Sequence, residues 1–507
     1  MKLIKEIFPI FFVAVTLCVN ACQEDLHEHL PLVHSVSISP ESINSQETVS
    51  LSVYSTDGNG DKLSYSWESE FGYFLSSTNL PQTTWQAPFE SGNYTIFFTV
   101  DDGKNLVRDS VLITVNNLPP NFSEIRQPAN NSTNVKIPTT LFWNASDYEN
   151  DSFVYDFYFG KEGNFSLQKH NLETNFFNPL LLEPETNYSW KVVAKDLENE
   201  NETESETWSF RTGKWANFRT NNSGLPIDLA FSVAIDQNDK KWIGTFGSGL
   251  VLLEKENWIV FNTDNSPISD DKILSIAIDK NNSKWIGTDS GGLTVFYGAN
   301  WRTFQIGNSA LISNSILTVQ IDNNDKKWIG TLHGGLTTFD NYEWETFAVG
   351  NSGLPDNTVL SIAFENDKTW IGTSSGGVAS LENEIWKVFD TSNSPLPINR
   401  INSISVDQNG KKWFGTPKGL VSFDGQNWQV FTEENSDLLD DQVFSLNVDS
   451  KNKKWIGTSK GLSSFDKKYW SSYEEFFGSN ILEIKIDDSG KKWISTEGSG
   501  LVMTNEQ

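Results

Sequence analysis

The fold of this chain is decided by the stretch Ile273-Leu-Ser-Ile-Ala-Ile-Asp-Lys-Asn-Asn-Ser-Lys-Trp-Ile-Gly-Thr-Asp-Ser-Gly-Gly-Leu-Thr-Val-Phe-Tyr-Gly-Ala-Asn-Trp-Arg-Thr-Phe304. It contains four short segments rich in the β-branched and aromatic residues that favour strands, and turns rich in Asp, Asn and Gly separate them. The first segment ends at Asp279, the second begins at Trp285, the third follows Gly292 and the fourth begins at Trp301. Because the turns are short, the pattern predicts a four-stranded antiparallel sheet.

The same unit recurs along the rest of the chain. The Trp-Ile-Gly-Thr element or a close variant begins at tryptophans spaced 42 or 43 residues apart, with a last interval of 38: Trp242, Trp285, Trp328, Trp370, Trp413, Trp455 and Trp493. The fourth-strand pattern, Trp-x-x-Phe or Trp-x-x-Tyr, begins at Trp215, Trp258, Trp301, Trp344, Trp386, Trp428 and Trp470. Four strands per unit, repeated seven times, predict a seven-bladed β-propeller. A linear β-solenoid is the alternative, which is disfavoured because solenoid coils are usually shorter.

The strands at the two ends of the repeat region, residues 214–507, favour a closed ring. The region begins with a fourth strand, Trp215–Arg219, and ends with a third strand, Leu501–Thr504. The first of these can complete the last blade, so that no sheet edge is left open.

Two smaller domains are predicted ahead of the propeller. Residues 33–117 and 118–213 each contain short alternating runs, such as Tyr94–Val100 and Val154–Phe159, at the spacing of a β-sandwich. The chain is therefore predicted to be all-β, with two sandwiches followed by a seven-bladed propeller that its N- and C-terminal strands close.

These motifs resemble three known families. The first sandwich, with Thr56-Asp-Gly-Asn-Gly-Asp61 and Val100-Asp-Asp-Gly103, resembles immunoglobulin-like modules of the polycystic-kidney-disease and cadherin-like type. The second, with Leu182–Val193 and Trp208–Thr212, resembles a fibronectin type III domain. The repeats resemble the two-component regulator propeller, known from sensor regions of hybrid histidine kinases and from free-standing secreted proteins. The resemblance implies extracellular binding.

The first residues predict export and lipid attachment. A basic start precedes the apolar run Ile7–Leu17, which is too short to be a permanent membrane helix. The segment Val19-Asn-Ala-Cys22 resembles the lipobox of bacterial lipoproteins. We expect a signal peptide at residues 1–21, a lipid on Cys22 that binds the membrane, and a tether at residues 22–32; an ordinary cleaved signal peptide is the alternative. The acidic residues after Cys22 resemble a surface-export signal, which implies a cell-surface position on the outer membrane.

Composition narrows the range of partners. The chain has 38 Lys and Arg against 66 Asp and Glu, a net charge of −28, with acid spread along its 507 residues. We therefore expect no nucleic acid partner, because phosphate contact requires clustered cations. Both cysteines lie within the first 22 residues, which excludes a disulfide framework in the domains.

The sequence favours a binding protein over an enzyme. The repeat region contains one histidine, His333, and no cysteine, so it offers almost no residues that could form a nucleophile activated by histidine. We expect a lipid-anchored cell-surface binding or scaffold protein whose propeller recognises an extracellular glycan or protein. The alternatives are a polysaccharide-active enzyme, either a glycosidase or a lyase, for which paired carboxylates are available, and an adhesin in which the propeller is a spacer.

Candidate ligand-binding residues lie in the seventh unit, because function is expected where the repeats differ. Its shortened loop carries Phe476 and Phe477, and its inner strand has Glu483 and Lys485 where other units have Ser and Ala. Glu497 follows its second strand. These aromatic and charged residues are suited to ligand recognition. A structural pair between Glu483 and Lys485 in a degenerate terminal unit is the alternative.

A structural calcium ion is possible at one turn of the first sandwich. Asp57, Asn59 and Asp61 alternate as in the start of an EF-hand loop, but Lys62 stands where that loop requires glycine, so an EF-hand is rejected. A calcium ion at the sandwich edge and a solvated turn stay open as alternatives. No other cofactor is expected.

Overall fold

The computed structural model describes residues 29–179, 181–197, 201–255, 257–340, 342–473 and 478–506. Regular structure within these ranges is β-strand throughout. None of the described segments forms a helix long and apolar enough to cross a membrane. The chain divides into two compact units. The first comprises the described residues up to Gln127, with Phe142–Phe176 and Ser189–Trp208; the second comprises Pro128–Leu141, Phe177–Tyr188 and the chain from Ser209 onward.

The first unit begins with a β-sandwich. Its strands are β1 (Leu32–Ser39), β2 (Ser42–Asn44), β3 (Thr48–Thr56), β4 (Ser64–Ser69), β5 (Tyr73–Phe74), β6 (Gln82–Gln86), β7 (Gly92–Asp101) and β8 (Leu106–Asn116). They form two sheets, β1-β3-β6-β5 and β2-β8-β7-β4. Alternate side chains of both sheets meet in one core around Trp67, Trp85 and Phe98, which are at most 3% exposed.

The next segment contributes strands to both units. These strands are β9 (Asn121–Gln127), β10 (Ser132–Ile137), β11 (Leu141–Ser146), β12 (Phe153–Lys161), β13 (Asn164–Leu172), β14 (Phe176–Phe177), β15 (Asn187–Asp196), β16 (Glu202–Glu204) and β17 (Trp208–Phe218). In the first unit, β9 pairs with β11 and β12 with β13, all antiparallel, and the buried rings of Trp143 and Phe157 stack with centroids 5.5 Å apart. In the second unit, β10 runs parallel to β17.

The repeats form the propeller in the second unit. Blades 1 to 3 consist of β18 (Ala230–Ile235), β19 (Lys241–Thr245), β20 (Leu250–Glu254), β21 (Asn257–Phe261); β22 (Ile273–Ile278), β23 (Lys284–Thr288), β24 (Leu293–Tyr297), β25 (Asn300–Phe304); and β26 (Ile316–Ile321), β27 (Lys327–Thr331), β28 (Leu336–Asp340), β29 (Glu343–Phe347). Blades 4 to 6 consist of β30 (Val359–Glu365), β31 (Lys368–Thr373), β32 (Val378–Glu382), β33 (Ile385–Phe389); β34 (Ser403–Val406), β35 (Lys412–Thr416), β36 (Gly419–Phe423), β37 (Trp428–Phe431); and β38 (Val443–Val448), β39 (Lys454–Thr458), β40 (Gly461–Asp466), β41 (Tyr469–Tyr473). Blade 7 contains β42 (Ile481–Ile486), β43 (Lys492–Thr496) and β44 (Leu501–Thr504).

The ring closes as the order of its end strands predicts. The end of β17 pairs antiparallel with β44, in the register Trp215 with Thr504 to Phe218 with Leu501, and so becomes the fourth strand of blade 7. The predicted all-β class, with sandwiches and a closed seven-bladed propeller in the described part of the chain, is confirmed.

Each blade contains the same hydrogen bond, which is buried in blades 1, 2 and 5 to 7 and partly buried in blades 3 and 4. The indole Nε1 of the second-strand Trp donates to the carboxylate that follows the first strand or ends it, over 2.9–3.2 Å. In every blade except blade 4, a Lys precedes this Trp and its ammonium reaches the preceding blade. We call the contact between two neighbouring blades a seam. At the seam between blades 5 and 6, Lys454 Nζ lies 3.1 Å from Asp407 and 5.1 Å from the ring of Trp413. The repeated Trp, Asp and Lys are therefore explained by packing.

Candidate functional site

The innermost strands of the seven described blades enclose a channel of about 550 Å³. The second position of these strands is near the loops that enter the blades, and apolar, partly exposed side chains occupy it in blades 1 to 4, 6 and 7. They are Phe231, Leu274, Leu317, Leu360, Phe444 and Leu482. In blade 5 the equivalent residue is Asn402, which directly precedes β34. The channel therefore has an apolar ring with one polar gap.

Blade 7 places a charged pair inside the channel. Glu483 Oε1 lies 3.2 Å from Lys485 Nζ, and about a quarter of each side chain is exposed, 26% and 29% respectively. Glu483 Oε2 also accepts a hydrogen bond from the backbone N–H of Val233 in blade 1, over 2.8 Å. The two residues thus form the pair that the alternative interpretation describes, and both line the channel.

A second exchange in blade 7 accompanies Glu483. In blade 1 the second strand has Gly244, where an added Cβ would lie 2.3 Å from Ser232 Oγ. Blade 7 has Ser495 at the equivalent position, and its Oγ donates to the carbonyl of Phe231 over 3.1 Å. Both side chains that crowd Gly244, Ser232 and Ile273, are replaced around Ser495: Glu483 stands in place of the Ser, and blade 1 presents Ala230 in place of the Ile. The seam between blades 7 and 1 is therefore bridged by two polar side chains.

Blades 5 and 6 extend the polar side of the channel. Arg400 Nε donates to Asn402 Oδ1 over 2.8 Å, and Asn402 Nδ2 donates to the carbonyl of Val443 over 2.8 Å. Asn447 Nδ2 donates to the carbonyl of Ile484 over 2.9 Å. The sequence-based predictions included neither asparagine. An alignment of the inner strands reveals them, because their second and fifth positions otherwise carry Leu, Phe or a small residue in most blades.

The charges in the channel oppose the overall charge of the chain. Among the described residues that line it, the ionised ones are Glu483, Lys485 and Arg400, so cations outnumber carboxylates there. The chain as a whole has a net charge of −28. The channel therefore combines an apolar ring with donors suited to carboxylate, carbonyl or hydroxyl oxygens.

Glu497, the remaining described residue that was predicted to bind a ligand, is not part of this lining. Glu497 is exposed, and its Oε2 accepts a hydrogen bond from the side chain of Asn480. Phe476 and Phe477, and also Cys22, lie outside the described residues, so their roles stay predictions.

The turn predicted for calcium is ordered by its own hydrogen bonds. Asp57 Oδ1 accepts from the backbone N–H groups of Asn59 and Asp61 over 3.0 and 2.8 Å, and Asn59 Nδ2 donates to Asp61 Oδ2 over 3.2 Å. Lys104 Nζ lies 3.4 Å from Asp61. No group of three or more His, Cys, Asp or Glu residues in the described ranges is arranged to hold a metal ion. Calcium binding here stays a prediction.

Comparisons with known proteins find similarity at the level of fold. No protein-family profile matches the chain, and no curated protein matches it. Among solved structures, virginiamycin B lyase from Staphylococcus aureus is 11% identical with a TM-score of 0.48, covering 58% of this chain and 99% of that one. The extracellular domain of BT3049 from B. thetaiotaomicron, described as a hybrid two-component system, is 16% identical with a TM-score of 0.36, covering 94% and 81%. YCF48 bound to D1 peptide is 12% identical with a TM-score of 0.46, covering 58% and 96%.

Proposed function

We propose that this chain is a lipid-anchored binding protein of the cell surface, and that its propeller recognises an extracellular glycan or polypeptide in the central channel. The observation that carries the proposal is the channel of about 550 Å³ with the pair Glu483 and Lys485 inside it. This volume is within the usual range of ligand sites, which combine apolar walls with a few placed polar groups. The repeat type is that of the two-component regulator propeller, and residues 33–117 and 118–213 are sandwich spacers.

The lining supports a ligand with both an apolar face and oxygen acceptors. The ring that includes Phe231 and Phe444 suits the apolar face of a sugar ring or an aliphatic side chain. Arg400, Lys485 and Asn402 offer donors to hydroxyl, carbonyl or carboxylate oxygens. Glycans and polypeptides both combine these features.

Anchoring is expected to depend on Cys22. The Cys22→Ala variant removes the only atom of the lipobox that can be acylated, so the protein should leave the membrane fraction for the soluble one. Fractionation of cells and mass spectrometry of the purified protein check this. The Cys18→Ala variant is the matched control and should stay in the membrane fraction. A Cys22→Ala protein that still sediments with membranes would contradict the proposed anchor.

Ligand binding is expected to depend on the charged pair in the channel. The triple change Glu483→Ser, Lys485→Ala and Ser495→Gly converts blade 7 to the pattern of blade 2, which has Ser275, Ala277 and Gly287 at these positions. The blade should tolerate it, because Ser275 Oγ accepts the backbone N–H of Val319 over 3.0 Å, as Glu483 does for Val233. We expect affinity to fall about tenfold or more, measured with the full chain on glycan and peptide arrays.

A surface pair provides the control for this experiment. Lys240 Nζ lies 2.8 Å from Glu254 Oε1, with similar exposure to the channel pair but outside its lining. The double change Lys240→Ala with Glu254→Ser should leave array binding unchanged. If the channel variant and the wild type bind equally well and have the same thermal midpoint, the proposed binding site in the channel is wrong.

A further inference from the structure

The seam between blades 3 and 4 lacks a lysine that the other seams have. In the described chain, the residue before the second-strand Trp is Lys in blades 1 to 3 and 5 to 7, and its ammonium lies 4.8–5.3 Å from the ring centroid of the preceding blade's Trp. Blade 4 has Thr369 there. Thr369 is too short to cross the seam, so Trp328 and Asp322 of blade 3 receive no ammonium from blade 4.

The seam between blades 5 and 6 contains this lysine, and it shows which contacts the seam between blades 3 and 4 lacks. Asp407 Oδ2 accepts from the indole of Trp413 over 3.0 Å and lies 3.1 Å from Lys454 Nζ. Asp322 Oδ2 accepts from the indole of Trp328 over 3.0 Å, and Asp322 Oδ1 accepts from the backbone N–H of Lys326, but no Lys or Arg side-chain nitrogen of the described residues lies within 4.0 Å of this carboxylate. Asp407 Oδ2 therefore has two side-chain partners, the indole and the ammonium, whereas Asp322 Oδ2 has only the indole among the described residues.

The blade's own lysine does not replace the absent one. Lys326 lies 5.2 Å from the ring of Trp328, as Lys411 lies 5.0 Å from Trp413. In the seam between blades 5 and 6, Trp413 has this contact and that of Lys454 as well. Trp328 therefore has one cation position that no described lysine fills, and the ring of Phe364 in blade 4 packs against Trp328 with centroids 5.9 Å apart.

The open position belongs to a cavity of about 900 Å³, which we call the blade 3–4 pocket. Asp322, Trp328 and Thr369 line it, with Phe347 and Trp386 as further aromatic walls. Its other ionised residues are Glu345, Asp367, Glu384 and Lys326, so carboxylates outnumber cations. An ammonium group is attracted both by such carboxylates and by the face of an indole ring.

We propose that the blade 3–4 pocket binds the ε-ammonium of a lysine side chain on a partner polypeptide. The chain itself places lysine at the equivalent position of its other seams, where the methylene stem is buried and the ammonium meets Trp and carboxylate. A partner's lysine would reproduce these contacts with Trp328 and Asp322. This site is additional to the channel, whose lining includes neither residue.

The test uses the full chain and two pentapeptides, acetyl-Gly-Gly-Lys-Gly-Gly-amide and its norleucine analogue, which lacks the ammonium. We expect the lysine peptide to shift the indole N–H resonance of Trp328, assigned with Trp328→Phe, and the norleucine peptide to leave it in place. The Thr369→Lys variant should bind the lysine peptide at least about tenfold more weakly, because its own ammonium takes the position. Thr369→Val keeps the pocket open and should bind within about twofold of wild type.

Two further variants make the assignment specific. Asp322→Asn should weaken lysine-peptide binding about tenfold, and Lys454→Thr, which opens the seam between blades 5 and 6 in the same way, should add a second binding position. Wild-type affinity in Thr369→Lys, or equal shifts by the lysine and norleucine peptides, would overturn the proposal. Butylamine that binds as tightly as the lysine peptide would assign the pocket to free amines and reject a polypeptide partner.

Discussion

Removal of Leu501–Gln507 is expected to open the propeller. The truncated protein should no longer show a cooperative thermal transition near the midpoint of the wild type. These residues include β44, which pairs with β43 on one side and with the end of β17 on the other. Leu501, Val502 and Met503 are at most 4% exposed. Truncating one buried side chain of this size costs about 2–5 kcal/mol. Three such losses are comparable with the whole free energy of unfolding of a typical domain, about 5–15 kcal/mol.

The truncated protein should also aggregate, because β43 and β17 would each present an unpaired edge. Tryptophan fluorescence during thermal unfolding and size-exclusion chromatography measure the two effects. Removal of only Asn505–Gln507 leaves β44 whole and is the matched control, which should remain monomeric. A monomeric protein without β44 and with the wild-type midpoint would show that the terminal strands do not hold the ring closed.

The propeller could be predicted because its strands are specified locally. The carboxylate that follows or ends the first strand and the Trp of the second are five or six residues apart, and their hydrogen bond requires both at fixed positions, as Asp407 and Trp413 illustrate. This requirement is visible as sequence periodicity. Closure could be predicted as well, since the repeat region begins with the strand that its last blade lacks.

The contents of the channel could be predicted only in part. Glu483 and Lys485 stand out because they depart from the Ser and Ala of other units. The contact of Glu483 with the backbone of Val233 could not be foreseen, because it joins residues 250 positions apart in sequence. Ser495 looks like a minor variant of the repeated glycine until its bond to Phe231 explains it. Sequence spacing describes one blade, whereas the site is formed between blades.

The blade 3–4 pocket shows the same limit. In the sequence, Thr369 in place of the usual Lys looks like an ordinary exchange of one polar residue for another next to a turn. Its consequence falls on Asp322, 47 residues earlier, because the lysines of this fold serve the preceding blade. Only the geometry of the seam connects the two positions.

Replacing Asp407 by Ala is expected to destabilise the protein by about 3–5 kcal/mol, because it leaves a buried ammonium without its counter-charge. Asp407 is 6% exposed and accepts the indole N–H of Trp413, while Lys454 Nζ lies 3.1 Å away. The matched control is Asp322→Ala, which removes the same indole hydrogen bond at a seam without the lysine. The control should cost only about 1–3 kcal/mol. Equal losses in urea denaturation would show that the lysine contributes nothing to the seam.

The loss of stability caused by Asp407→Ala should also become smaller at low pH. The direction of this change follows from the pKa of Asp407. Burial by itself raises this pKa, but hydrogen bonds from the Trp413 indole, the Lys454 ammonium and backbone N–H groups outweigh burial, so the pKa lies below the usual 3.8. A carboxyl whose pKa is lowered by folding stabilises the protein fully above its unfolded-state pKa. That stability is lost as the pH falls through the folded-state pKa. The wild type and Asp407→Ala should therefore differ most in urea denaturation at pH 7, and the difference should begin to shrink only as the pH falls below about 4. A difference that stays constant over this range would mean that the charge of Asp407 does not stabilise the fold.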